Sequence, residues 1–236
     1  MNKIGYTLLL IAGISIQLCA QSSKVVHKVE SGANLEELVS PVQQYLFQDF
    51  EDCMVMYNDS SWSRGKMNYN LVVGEMQFFM PKSKEILALS NIEDVASITI
   101  AGRVFVPLPK GKEFMEIIVK GINSLAVKRR TVVTPYGKQG AYGTINSTSS
   151  VESISAMSYD GRRQDLSVSD YSLIELKTVF YLVIKEKKQQ IVGKKTILNA
   201  YPKEIRTQIF QFITENKINL KNETDLIKLI KYCNKL

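Results

Sequence analysis

Residues Gly65 to Pro81 read GKMNYNLVVGEMQFFMP, and apolar side chains recur there at every second position: Met67, Tyr69, Leu71 and Val73, then Met76, Phe78 and Met80. Strict alternation is the mark of a strand with one buried face, because successive side chains of an extended chain point to opposite sides. Gly74-Glu75 between the two runs predicts a type II′ hairpin that pairs Val73 with Met76, Leu71 with Phe78 and Tyr69 with Met80. All six then share one apolar face, and Asn68, Asn70, Glu75 and Gln77 fall on a largely wet one. Polar residues on such a face are what a half-exposed strand needs, so the stretch reads as scaffold before it reads as a site.

The device recurs along the chain. Ile98, Ile100 and Phe105 flank AGRV, where a turn at Gly102-Arg103 pairs Ala101 with Val104 and Ile100 with Phe105. Cys53 to Tyr57 reads as a first strand that ends at the turn-forming NDSS. Two more β-rich runs flank Gly121, and a later hairpin pairs Phe180 to Ile184 with a strand through Ile191-Val192. The period then lengthens. Pro202 suits a first helical turn, and Ile205, Ile209, Phe212 and Ile213 mark one helical face. Asn222 can cap a last helix with Glu223 and Asp225 in its first turn, buried through Leu226, Ile227, Leu229, Ile230 and Cys233. The expected fold is mainly β with C-terminal helices (α+β): a meandering antiparallel sheet of about eight strands and a C-terminal helix pair. The helices break the strand pattern of an outer-membrane barrel.

The N-terminus has its own character. Lys3 is followed by the apolar YTLLLIAGISI and then by QLCAQ, the pattern of a secretory signal peptide cleaved between Ala20 and Gln21. Lipid attachment at Cys19 is disfavoured because Leu18, and not a small residue, precedes it. No segment has the apolar length of a membrane-spanning helix. The expected organisation is a signal peptide over 1–20, a leader over 21–44, a β-rich domain over 45–200 and a helix pair packed on the sheet over 201–236.

Candidates for chemistry are few. The formal charge is +7, but Lys128, Arg129 and Arg130, and Lys185, Lys187 and Lys188, read as solvated strand ends and turns. A nucleic-acid partner would need a basic stripe with stacking aromatics, and none is expected. His27 is the one histidine, so a Ser-His-Asp triad would have to recruit it, and a zinc site would lack histidines and have only two cysteines. Cys53 and Cys233 remain after signal removal; an exported location permits a disulfide, and two separate buried thiols fit as well. No catalytic residue, metal ligand or cofactor is assigned. Asp49, Glu51 and Asp52 are the best carboxylate cluster, and they support the alternative of a carboxylate-dependent hydrolase of glycans. The glycine-rich PYGKQGAYG, within a long loop or weak edge strand over 135–170, presents Tyr136 and Tyr142 as contacts for a sugar or peptide. Trp62 is either an exposed contact or a residue that pins its loop.

The segments YLFQDF, MNYNLVVGEMQF, LALSN, GRVFVP, GAYG and STSS, and the tail from Tyr201 to Asn234, resemble an uncharacterised family of exported β-rich proteins of the Bacteroidetes. The resemblance covers nearly all of the chain beyond the signal peptide. It implies an envelope protein of a Gram-negative cell, periplasmic or secreted, and it carries no activity and no site residues. The expected function is a binding or structural role toward an envelope protein or glycan. Mass spectrometry of the natural protein is expected to find Gln21 at the mature N-terminus without lipid, and an acylated Cys19 would contradict this.

Overall fold

The computed structural model describes residues 25–28, 39–108, 113–139, 145–146, 171–185 and 187–236. The alternating segments form twelve strands among them. The first six are β1 (Val25–Lys28), β2 (Glu51–Tyr57), β3 (Trp62–Asn70), β4 (Glu75–Met80), β5 (Glu85–Ala88) and β6 (Val95–Ile100). The rest are β7 (Arg103–Pro107), β8 (Phe114–Val119), β9 (Asn123–Gln139), β10 (Ile145–Asn146), β11 (Tyr171–Ile184) and β12 (Lys187–Gln190). They make one antiparallel sheet in the order β1-β11-β9-β8-β7-β6-β2-β3-β4-β5, with β10 added to β9 and β12 to β11. The meander is thus as expected from β6 to β9, while β2 inserts between β6 and β3.

Cross-strand partners share a face. Val55 opposes Ile98, Ile98 opposes Phe105, Phe105 opposes Glu116, Glu116 opposes Val127 and Val127 opposes Phe180. One continuous inner face therefore carries two apolar clusters. The first is enclosed by the sheet's own curl and holds Cys53, Tyr69, Met76, Ile98, Phe105 and Phe114. The curl brings the β3–β4 loop onto β9, where the Thr131 N–H donates to Leu71 O at 2.8 Å. The second joins Val127, Phe180 and Leu182 to the C-terminal helices. Those helices are α2 (Lys194–Asn199), α3 (Lys203–Glu215) and α4 (Glu223–Cys233), preceded in the chain by a single turn, α1 (Pro41–Gln44). The expected pair is α3 and α4; α2 is an additional short helix that buries Ile197. Asn222 caps α4 as expected, its Oδ1 accepting from the Asp225 N–H at 3.0 Å. Among the described residues no helix is long and apolar enough to cross a membrane.

The turns differ from expectation in a consistent way. Tyr69 opposes Met76 and Asn70 opposes Glu75, so the first hairpin closes through the four residues Leu71 to Gly74 and not through Gly74-Glu75. Asn70 causes this. Its side chain accepts from Val72 N–H at 3.0 Å and Val73 N–H at 3.3 Å, capping one helical turn that Gly74, at φ 76°, ends with its N–H on Asn70 O. The partners shift by an even number, so Tyr69 and Met76 keep the core face while Met80 becomes exposed. In the second hairpin Ile100 opposes Arg103, and the turn is Ala101-Gly102, with φ 48° and 77°. Both central residues are left-handed, the type I′ geometry that matches strand twist. The late hairpin likewise closes early: β12 is Lys187–Gln190, and Ile191 and Val192 follow it. A side chain at Gly74 would meet both a positive φ and the Glu113 Cγ, 3.1 Å from an ideal Cβ. Gly74→Val is expected to destabilise by about 1–3 kcal/mol in urea melts, and a loss below about 0.5 kcal/mol would contradict the turn.

Candidate functional site

The triplet Lys128-Arg129-Arg130 lies in the middle of β9, not at a solvated strand end, and strand alternation sends its members to opposite faces. Arg129 enters the inner face between the two apolar clusters. There Glu116 of β8, with a side chain 8% exposed, accepts from Arg103 Nε and Nη2, both at 2.7 Å, and from Arg129 Nη1. Arg129 Nη2 also donates to Glu223 Oε2 at 2.6 Å, and Glu223 opens α4. The Arg103 guanidinium lies 5.0 Å from the Phe47 ring centre. Burial alone would push the Glu116 carboxyl up; the hydrogen bonds and charges of Arg103 and Arg129 outweigh it and hold the group below its ordinary value. On the outer face Lys128 and Arg130 both pair with Glu113. These five charged residues of β7 to β9 and Glu113 are occupied with one another and with α4.

The expected wet face of β3 is in fact buried. Asn68 is 1% exposed and Asn70 0%. Asn68 Oδ1 accepts from Phe47 N–H and Tyr69 N–H, and its Nδ2 donates to Phe47 O and Asp49 O. All four hydrogen-bonding positions of that amide are spent on the chain's own backbone. The segment before β2 is thereby strapped along β3, with Leu46 N–H on Tyr69 O and Leu71 N–H on Gln44 O. Part of the expected leader is therefore built into the fold, including β1, which pairs His27 with Ser172 of β11.

The other sequence candidates separate. Tyr136 lies in β9, where the register with β11 passes from Pro135 to Gly137 across an irregularity, so the stretch to Gln139 is strand and not loop. Tyr142, Ala20 and Gln21 lie outside the described residues. Glu51 and Asp52 are neighbours on β2 and project to opposite faces; Asp52 is exposed and pairs with Lys66 at 3.2 Å. That removes them as a facing carboxylate pair. Cys53 and Cys233 are free, buried thiols in different apolar clusters. Burial raises both, Cys233 to about 11, which keeps them protonated and unreactive. In the second basic cluster Lys188 donates to Pro107 O at 2.6 Å, and burial lowers its pKa. Among the described residues no group of three or more His, Cys, Asp and Glu side chains could hold a metal ion.

Among the described residues, the outer face of the β2–β3 hairpin carries an exposed aromatic and cationic group. Met56 opposes Trp62 and Met54 opposes Arg64, all on the side away from Val55. Trp62 is 57% exposed and Met54 38%. The Arg64 guanidinium lies over the indole at 5.0 Å, and none of the described carboxylates pairs with it. Trp62 is the first residue of β3, so the sequence question is resolved toward an exposed residue on a strand. Tryptophan and arginine are among the residue types that dominate binding energy at protein interfaces.

Set beside known proteins, the chain matches no family model, and no curated protein or solved structure is significantly similar to it. The fold and surface define its class: a curled antiparallel sheet with a C-terminal helical cap.

Proposed function

We propose that the protein is an exported envelope protein of a Gram-negative cell, periplasmic or secreted and related to β-rich Bacteroidetes proteins, that acts by binding or in a structural role. Its partner is an envelope protein or glycan. One observation carries this reading. Among the described residues, the Glu116 carboxylate and the Asn68 amide are committed to internal pairs, while Trp62, Arg64 and Met54 are exposed on the outer face of a hairpin. An exposed aromatic and cationic surface suits recognition. The leading residues of the chain, with their apolar run and Ala20, support the export.

Trp62→Ala tests the reading. Its side chain packs on solvent and Arg64, so unfolding free energy is expected to stay within about 0.5 kcal/mol of the parent. Retention of the purified protein on a lipid-extracted fraction of envelope proteins and glycans is expected to fall about tenfold or more, as loss of a central aromatic anchor does. Unchanged retention by a variant that melts like the parent would contradict the role given to this face.

A further inference from the structure

At the end of the sheet away from Trp62, three segments converge. Asn123 opens β9 opposite Ile184, the last residue of β11, so the β8–β9 turn (120–122) stands beside Lys185. The end of α4 joins them. Asn234 Nδ2 donates to Asn123 O at 3.0 Å, its Oδ1 accepts from Asn123 N–H at 3.3 Å, and a Cβ on Gly121 would lie 2.1 Å from Asn234 Nδ2. The convergence gathers four exposed lysines, Lys120, Lys185, Lys187 and Lys235. None of the described carboxylates forms an ion pair with any of them. At the tip of the β8–β9 turn Ile122 is 85% exposed, as high as any large apolar residue described.

Like charges held together by backbone contacts need an external counter-charge to lower their mutual repulsion. Protein interfaces are depleted in lysine, whereas lysines around an exposed aliphatic tip suit a bilayer surface. There the ammonium groups meet headgroup phosphates and the tip enters the acyl boundary. We infer that this lysine-rich end, with Ile122 at its tip, docks the protein reversibly on an anionic phospholipid bilayer. The inference does not rest on the role proposed for Trp62, which lies on another surface.

Cosedimentation of the purified protein with phosphatidylcholine vesicles containing about 30% phosphatidylglycerol tests it. Binding is expected at about 0.1 M salt and release at about 0.5 M, because screening shortens the reach of the lysines. The triple variant Lys120→Gln, Lys185→Gln, Lys187→Gln is expected to partition about a hundredfold more weakly, roughly fivefold for each lysine. Ile122→Ser is expected to weaken binding at about 0.1 M salt, and Trp62→Ala to leave it unchanged. All of these positions are exposed, and matching thermal melts establish that each variant folds. No binding by the parent, equal binding to pure phosphatidylcholine, or undiminished binding by the triple variant would overturn the inference. So would loss of vesicle binding in Trp62→Ala alone, which would assign the contact to the other surface.

Discussion

A carboxylate carried out of water must be neutralised where it lands, and Glu116 lands midway across the inner face of the sheet. Two guanidinium groups meet it there, Arg103 from β7 on one side and Arg129 from β9 on the other. The geometry matters more than the charge count. Arg103 grips both carboxylate oxygens, so it cannot leave without stranding a buried anion. Arg129 turns its second nitrogen to Glu223 and so fixes the start of α4 over the second apolar cluster. Because Arg103 also lies against Phe47, the same network touches the segment that precedes β2. The chain's leading segment, its sheet and its last helix are thus referred to one charge.

The apolar clusters supply most of the stabilising burial, but burial is non-directional and would tolerate several placements of the helices on the sheet. Directional contacts choose among them. Asn68 fixes the strap before β2, Thr131 fixes the closure of the curl, and Glu116 with its arginines fixes the helical cap. With the interior specified in this way, the outer face of the β2–β3 hairpin is free to carry an exposed tryptophan without cost to the core. The proposed binding role follows from that division between a committed inner face and an open outer one.

The sheet and the helices were legible because their signals are local and periodic. Alternation from Met67 to Met80 and the Asn222 cap each report on a few neighbouring residues. What failed was chemistry that alternation does not contain. Asn70 looked like a solvent-facing strand residue, yet an asparagine four residues before a glycine also spells a capped turn, and that reading would have corrected the register. Ala101 at φ 48° hides the type I′ turn because the expected signal there is asparagine or glycine. Lys128 to Arg130 looked like a surface run, because their partners Glu113, Glu116 and Glu223 are distant in sequence and only the fold brings them near. Trp62 was visible as a lone tryptophan, but its placement on an outward face depended on knowing which strand it begins. Of the two readings open for the segment around Tyr136, loop or edge strand, the β9 backbone takes the strand.

The central claim is that Glu116 organises the molecule, and denaturant unfolding of Glu116→Gln across pH tests it most directly. Glutamine keeps the shape and removes the charge, leaving the half-buried Arg103 without an anion and Arg129 with Glu223 alone. The account expects a loss of about 1.5–3 kcal/mol near neutral pH, the scale of losing charged hydrogen bonds that are only part-buried. The folded carboxyl is held below its ordinary value, so its contribution is fully present above the unfolded pKa of about 4.3 and is lost as pH falls through the folded pKa. The gap between parent and variant should therefore close in acid. A variant within about 0.5 kcal/mol of the parent at neutral pH, or a gap that does not change with acidification, would contradict the account.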